Sequence, residues 1–315
     1  MSVETPSPTG VIHDLGYRGY DGPRLGRRPI VMALAWHSFR SAFGFGRGAK
    51  AKILPVIAIV VLCLPAVVNA YAMSQGGGPR HIEYDTYISQ LRVLIMTVFV
   101  AVQAPELVSR DLRGRVLPLY FSRPIRPADY PLAKYLAFTA ACLVMMEVPL
   151  IVLYAGSVAN VHGGSAVWAE TRAFIPGLLI GLMWSVVLAA IGLFLASLTG
   201  RRGYATGMVA IFFLVTFTLS EILLQVEGGP SHAGVGGPGA GPPLPAAPGL
   251  AEKVSGLFSP YTLMEGTRLW LGGQHPSENV AAPGGFGAVY ALVLLVVLAA
   301  CLAGLVARYR KAAVS

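Results

Sequence analysis

Charged residues are concentrated in one short segment, between Glu106 and Pro131. Eight of its 26 residues are charged, whereas the whole chain of 315 residues has only 39 Asp, Glu, Lys and Arg. A charged segment held stiff by prolines suits docking on another protein, and the alternative is an ordinary solvated basic loop. The charged residues are Glu106, Arg110, Asp111, Arg113, Arg115, Arg123, Arg126 and Asp129.

The order of residues in this segment predicts a helix followed by a sharp return. The stretch ELVSRDLRGR can continue the preceding helix, with Glu106 and Arg110 at the favourable i, i+4 spacing. Proline breaks a helix and biases the residue before it toward extended geometry. The prolines that impose the return are Pro118, Pro124, Pro127 and Pro131.

Three ionisable residues, Arg92, Glu147 and Glu221, lie inside long apolar stretches. In a membrane each costs several kcal/mol unless it is paired, so such residues suggest a function by default. Two interpretations stay open. In one, Arg92 pairs with one or both carboxylates in a structural ion cluster. In the other, Glu147 or Glu221 lines a translocation path. A different function for the whole protein is also open, a secondary transporter that uses Glu147 and Glu221 as proton carriers.

Enzymatic chemistry within the apolar stretches is not expected. All six His residues lie outside them, which removes a Ser-His dyad, an H-E-x-x-H metal site and bis-His haem ligation. The three Cys residues lie inside apolar stretches with no metal-ligand spacing, so no metal is expected. The chain also has no G-x-x-x-x-G-K-[ST] motif, so it does not bind nucleotide phosphates in that way.

The composition indicates that these residues belong to a membrane protein. Apolar residues make up 55% of the chain and charged residues 12%, about half the share usual in soluble domains. The apolar residues form six blocks of about 20 residues or more, the length of a membrane-spanning helix. We therefore predict an all-α polytopic membrane protein. The predicted spans are 53–73, 87–107, 132–155, 173–198, 204–226 and 286–307.

The distribution of Lys and Arg predicts the orientation of the six spans. Segments 1–52, 108–131, 199–203 and 308–315 hold 18 of the 24 basic residues, and the alternate segments hold four. Because basic loops stay in the cytoplasm, both termini are predicted to be cytoplasmic and the protein to lie in the cell membrane. The net charge of +9 is then mostly a topological signal, and nucleic-acid binding is not expected.

The segments outside the spans have distinct compositions. Residues 1–28 form a turn-rich cytoplasmic tail without the apolar core of a signal peptide, and 308–315 form a second tail. Segment 29–52 is predicted to be an amphipathic interfacial helix with one apolar face, with an ordinary packing helix as the alternative, and 108–131 to be the cytoplasmic loop. Residues 227–285 are predicted to lie outside the membrane and to begin with a Gly/Pro linker. Within them, segment 250–272 is predicted to form either short re-entrant helices or a cap on the outer side. The apolar face consists of Met32, Trp36, Phe39 and Phe43.

The stretch from Ala104 to Ala137 resembles the signature of ABC-2 type transporter permeases, and the tail IHDLGYRGYDGPRLGRR, residues 12–28, resembles those of actinobacterial members. The six-span plan, the interfacial helix and the broken helices before the last span are also similar to that family. Arg115 and Pro118 stand where Thr or Glu is common, and the Gly/Pro linker is an insertion. The matching residues are Glu106, Asp111, Arg113, Gly114, Leu117, Leu119, Ser122, Pro124, Arg126, Tyr130 and Lys134.

The resemblance implies a non-enzymatic exporter subunit that acts as a dimer. A second copy or a paralogue would complete the pore, and each permease would dock one of two cytosolic ABC ATPases, which bind ATP and Mg, through segment 108–131, the coupling helix. This chain would itself carry no cofactor, and membrane lipid would be its other partner. The residues expected to couple to the ATPase are Glu106, Arg110, Asp111, Arg113, Gly114, Ser122, Arg123 and Arg126.

Overall fold

A computed structural model of the chain describes residues 22, 26–76, 82–84, 87, 90–114, 120, 125–227, 254–272 and 284–314. Within these ranges the chain is helical and holds no β-strand. A 3-10 turn, Gly284–Phe286, precedes the last helix. The α-helices are α1 (Arg27–Ala42), α2 (Lys50–Gly76), α3 (Gln90–Arg113), α4 (Asp129–Asn160), α5 (Gly164–Ser197), α6 (Arg202–Glu227), α7 (Pro260–Trp270) and α8 (Gly287–Val314).

Six of these helices are long and apolar enough to cross a membrane, which confirms the predicted number of spans. They are α2, α3, α4, α5, α6 and α8. The spans occupy the predicted parts of the chain, but the helices are longer. The fourth begins at Gly164, nine residues before the predicted start at 173, because a helix can continue beyond the hydrocarbon region once it has formed. The protein is thus an all-helical, multi-pass membrane protein.

Helix α3 lies at the centre of the bundle and contacts α1, α2, α4, α5 and α6. Its inward residues are large and fully buried, among them Met96 and Phe99. Gly192 on α5 brings the two helices close, because a Cβ at that position would overlap the side chain of Val100. Small residues at such contacts let membrane helices pack by van der Waals attraction.

The predicted continuation of this helix beyond Glu106 is confirmed as far as Arg113. Gly114 then begins a turn. Residues 115–119 and 121–124 lie outside the described residues, so the predicted Pro-rich return is described only from Ile125, with a turn at Pro127 and the start of α4 at Asp129. Pro131 stands in the first turn of α4, where a backbone N–H has no partner within the helix, so it is tolerated there.

The predicted interfacial helix over 29–52 is broken in the structure. α1 ends at Ala42, and a turn separates it from α2 at Lys50. Gly44 has φ +78° there, and a Cβ at this position would lie 2.5 Å from the carbonyl oxygen of Ala51, so only glycine fits. Helical spacing did not reveal this break, because the apolar face ends at Phe43 and its spacing says nothing about the residues that follow.

The apolar face of α1 is divided between exposed and packed residues. Met32 and Trp36 are 72% and 62% exposed. Phe39 stacks on Trp36, with ring centroids 5.7 Å apart, and Phe43 reaches Phe99 in the core at 6.3 Å. The exposed end of this aromatic row suits contact with lipid, and the other end attaches α1 to α3.

Helix α7 is packed among the spans and not laid over their ends. Residues 260–268 are all buried, and α7 contacts α5, α6 and α8. The ring of Tyr261 lies 5.4 Å from those of Trp184 and Phe213, and its hydroxyl is hydrogen bonded to Thr97 of α3. Trp184 is about 20 Å along the helix axis from the end of α5 at Ser197.

Candidate functional site

A set of ion pairs lies at the end of the bundle where α3 finishes. We call it the charged cluster. It connects residues that are far apart in the sequence and come from four helices and the turn after α1. Its members are Arg27, Arg47, Glu106, Asp111, Asp129, Lys134 and Arg202.

Glu106 is the most buried carboxylate of the charged cluster, with a side chain 5% exposed. Arg47, from the turn after α1, approaches its Oε2 atom at 2.8 Å, and Arg202, at the start of α6, pairs with its Oε1 atom. Arg47 also donates to the carbonyl of Ser41 at 2.6 Å and to the side chain of Gln103 at 3.0 Å. One carboxylate therefore ties α3 to the α1–α2 turn and to α6.

Asp111 forms a second junction one turn further along α3. Lys134 of α4 donates from Nζ to Asp111 Oδ2 at 2.6 Å and to the carbonyl of Leu107 at 2.7 Å. The hydroxyl of Tyr130 donates to the same Asp111 oxygen. Lys134 is only 9% exposed in its side chain, so its ammonium group is held by these protein acceptors. The junction fixes the end of α3 against the start of α4.

A third junction attaches α1 to the start of α4. Arg27 donates from Nε to Asp129 Oδ2 at 2.6 Å and also pairs with the other carboxylate oxygen. The backbone N–H of Arg126 donates to Asp129 Oδ2 at 2.9 Å. The hydrogen bond that Arg27 donates to Asp129 raises the pKa of Arg27 above its ordinary value. A carboxylate in the first turn of α4 is also favoured by the helix dipole.

The end of α5 is held by hydrogen bonds to its last carbonyl groups. Ser109 of α3 donates to the carbonyl of Ala196 at 2.9 Å. Arg308 of α8 donates to those of Ser197 at 3.2 Å and Leu198 at 3.1 Å. The final carbonyls of a helix lack partners within the helix, so these donors satisfy groups that would otherwise be unpaired.

A cavity of about 940 Å³ opens between α1 and the end of α3. Both carboxylates of α3, Glu106 and Asp111, line it, together with Arg47 and Lys134. Arg113 and Gly114 stand at its edge and are exposed. Basic groups outnumber acidic ones there, and the exposed guanidinium of Arg113 is the group best placed to meet another molecule.

The residues predicted to couple to an ATPase fall into three groups. Glu106 and Asp111 point into the charged cluster and hold neighbouring helices. Arg113, Gly114 and Arg126 are exposed. Ser122, Arg123 and the side chain of Arg110 lie outside the described residues. Glu106 uses Arg47 and Arg202, and whether it also reaches Arg110 stays a prediction.

Glu147 and Glu221 have different surroundings. Glu147 lies against α5 at Gly181, where an added Cβ would overlap its carboxyl oxygen. Glu221 on α6 is half-buried, and its Oε1 atom is buried without a hydrogen-bond partner in the described part of the chain. The side chain of Arg92 lies outside the described residues, so the predicted ion cluster stays a prediction.

Two tyrosines in contact near Asp111 provide a matched test of this geometry. The rings of Tyr130 and Tyr309 are 5.5 Å apart and both are fully buried, but only Tyr130 donates to Asp111. The hydroxyl of Tyr309 has no partner among the described residues. Tyr130→Phe should cost about 1 to 2 kcal/mol of unfolding free energy, whereas Tyr309→Phe should be neutral or stabilising. Equal losses in unfolding titrations of the two variants would contradict the assigned hydrogen bond.

Sequence reasoning found the carboxylates of the charged cluster but missed most of their partners. Arg47 is predicted only to lie beside the interfacial helix, and Arg202 is only a signal of orientation. The same holds for Arg308, which contacts carbonyl groups at the end of α5. Their spacing carried no hint of a partner, because the contacts join residues about 60 to 110 positions apart. Lys134 was the exception, since its place in the family-like motif marked it before the structure showed its contacts.

The charged cluster has groups that suit binding. Within the ranges that the structure describes, no three His, Cys, Asp or Glu side chains come together as metal ligands could. What the cluster can do is hold helix ends together and present exposed arginines to an anionic partner.

No known protein-family model matches the chain, and no curated protein matches it significantly.

Proposed function

We propose that the chain is the permease subunit of an ATP-binding cassette exporter, coupled to separate cytosolic ATPase subunits at the end of α3. The observation that supports this best is the continuity of α3. It is one helix from Gln90 to Arg113 and packs on five neighbouring helices, while its charged end emerges from the bundle. A continuous helix of this kind can carry a displacement from its end into the interior.

The charged cluster gives this displacement several routes. Movement at Arg113 would act on α4 through Asp111 and Lys134, and on α6 and the α1–α2 turn through Glu106. Interfaces held by a few discrete ion pairs can change between two arrangements, and packed helices convert small shifts into larger ones. A permease driven by an external ATPase needs such a connection.

The proposed orientation places the charged cluster on the cytoplasmic side of the cell membrane, with both termini there. Its support is the excess of Lys and Arg in the segments at this end. In this orientation α7 is a re-entrant helix that dips in from the outer side, with its first turn, at Tyr261, inside the bundle. A second permease copy or a paralogue, and ATP with Mg in the two ATPases, complete the proposed assembly.

Reversal of one exposed charge tests the proposal. Arg113 is exposed and makes no ion pair within the described residues, so Arg113→Glu should leave the permease folded. Affinity purification of the full chain from its native membrane should recover ATP hydrolysis with an ABC ATPase subunit. The reversal should lower this activity by about tenfold or more, since it places like charges where opposite ones met.

The matched control is Arg310→Glu, which reverses another exposed charge, on α8 at the same end of the bundle. It should retain the associated activity within about twofold. Recovery of no ATPase with the unmodified chain, or equal losses in the two variants, would contradict the proposal. Asp111 does not serve this purpose, because its contacts with Lys134 and Tyr130 make its replacement a test of folding as well.

The second candidate function, a proton-coupled secondary transporter, rests on Glu221. A carboxyl group with an unpartnered buried oxygen inside a span could bind and release a proton. Proteoliposomes of the chain alone, with a pH gradient and no ATPase, separate the two functions. Gradient-driven flux that Glu221→Gln abolishes would favour the secondary transporter, and flux only in the presence of an ATPase would favour the exporter.

A further inference from the structure

Two cavities adjoin across the end of the bundle, next to the charged cluster. Their volumes are about 810 and 820 Å³. Arg113, Gly200 and Arg202 line both of them. One extends to the start of α2 at Lys50 and the other to the start of α6 at Tyr204. Together they form one open groove between these two helix ends, which we call the basic groove.

The basic groove carries a large excess of positive charge. Five basic side chains line it, and Glu106 is the single carboxylate among its lining residues. Glu106 is already paired with Arg47 and Arg202. Lys50, Arg113 and Arg201 therefore have no carboxylate partner within the part of the chain that the structure describes. A concave site with unneutralised basic groups attracts anions.

The position of the basic groove indicates which kind of anion it binds. The apolar spans of α2 and α6 begin at Lys50 and Arg202, so the groove lies where hydrocarbon gives way to headgroups. One turn into the span, Ile53 and Val56 of α2 are more than half exposed. Basic pockets between spans at this level bind the headgroups of anionic lipids.

An aromatic side chain at the rim supports the same assignment. Tyr204 is 65% exposed, and the guanidinium of Arg201 lies 5.8 Å from its ring centroid. Tyrosine is enriched at the headgroup level of membranes because its ring is apolar and its hydroxyl polar. A soluble anion or an acidic protein surface would make no use of the neighbouring exposed aliphatic residues, whereas a phospholipid would cover them with its acyl chains.

We infer that the basic groove binds the phosphate of an anionic phospholipid, with the acyl chains lying along α2 and α6. Lys50 and Arg201 contact the phosphate, and Tyr204 lies at the headgroup level. This site does not depend on coupling to an ATPase, since its residues and their charges belong to the permease alone. The proposed orientation places this site in the inner leaflet, and only that placement rests on the proposed function.

Gly200 allows a test in which shape is held constant. It lies in the floor shared by both cavities, and a Cβ there would be no closer than 3.8 Å to its neighbours, so a side chain fits. Gly200→Glu adds a negative charge to the groove, and Gly200→Gln adds the same shape without it. The full chain, purified in detergent, is mixed with equal amounts of phosphatidylglycerol and phosphatidylcholine, and the bound lipid is counted by native mass spectrometry.

The unmodified chain should retain phosphatidylglycerol over phosphatidylcholine. Gly200→Gln should keep this preference within about twofold, and Gly200→Glu should reduce it by about tenfold, as expected for a like charge in a surface lipid site. A double variant, Lys50→Gln with Arg201→Gln, should give a similar loss. The matched double variant Arg310→Gln with Lys311→Gln, exposed at the same end, should not.

Other results would overturn the inference. If Gly200→Glu and Gly200→Gln both retained phosphatidylglycerol, the groove would not be the lipid site. If both lost it equally, the added negative charge would not be the cause of the loss. Displacement of phosphatidylglycerol by inorganic phosphate alone would assign the groove to a soluble anion. Unchanged lipid binding in Gly200→Glu, together with loss of an associated ATPase, would assign it to an acidic protein surface.

Discussion

Replacement of Glu106 by Gln should destabilise the protein by about 3 kcal/mol, the size expected when one partner of a buried ion pair is removed. The reason is Arg47, whose side chain is 16% exposed and would keep its charge without a counterion. Gln preserves the shape of the side chain, so the loss reports the charge. The free energy of unfolding, measured by denaturant titration of the purified chain, checks the prediction.

The two arginines that pair with Glu106 should differ in their effects. Arg47→Gln should interact strongly with Glu106→Gln, so that the double variant loses less than the sum of the single losses. Arg202 is 62% exposed and water can solvate it, so Arg202→Gln should cost less than about 1 kcal/mol. Arg201→Gln is the neighbouring control without a contact to Glu106. Additive losses of Arg47→Gln and Glu106→Gln would contradict the ion pair.

Lys134→Met should be the second strongly destabilising change, by about 3 kcal/mol. The methionine fills a similar space but leaves the carboxylate of Asp111 with one donor fewer, and the carbonyl of Leu107 also loses its donor. The end of α3 would then be held to α4 mainly through Tyr130. Unfolding titration again provides the measurement, and Lys311→Met, at an exposed position on α8, should stay within about 0.5 kcal/mol of the unmodified chain.

Removing both charges should restore part of the stability that Lys134→Met loses. With Asp111→Asn added, no unpaired charge remains at the junction, and the double variant should recover about half of the loss or more. A double variant as unstable as the sum of the two single variants would show that the ammonium and carboxylate groups act separately. That result would remove one of the proposed routes from Arg113 to α4.

Local properties of the sequence were enough to predict the spans and the extension of α3. The six spans follow from the number of consecutive apolar residues, since the thickness of the hydrocarbon sets that number. The extension of α3 to Arg113 follows from the helix-compatible stretch after Glu106. The break after Ala42 escaped prediction, because it depends on the contact of Gly44 with Ala51, which helical spacing does not encode.

The partners of the charges were not predictable in the same way. Glu106 was expected to act with Arg110 on its own helix, but its described contacts are with Arg47 and Arg202. Helical spacing suggests only pairs within one turn, and a long Arg side chain from another segment competes for the same carboxylate wherever packing brings it near. The packing of α7 against α3, α5 and α6 likewise depends on contacts of Tyr261 that the sequence does not show.

The sequence by itself determined that this is a helical protein of six apolar spans with its ionic groups concentrated beside the second span. These properties depend on length, composition and neighbouring residues, which the hydrophobic effect and backbone hydrogen bonding convert directly into helices. Only the tertiary structure decided which arginine meets which carboxylate, that α7 lies among the spans, and that Lys50 and Arg201 face one groove. Those arrangements depend on how helices pack, and packing joins residues whose separation along the chain carries no information about their distance in space.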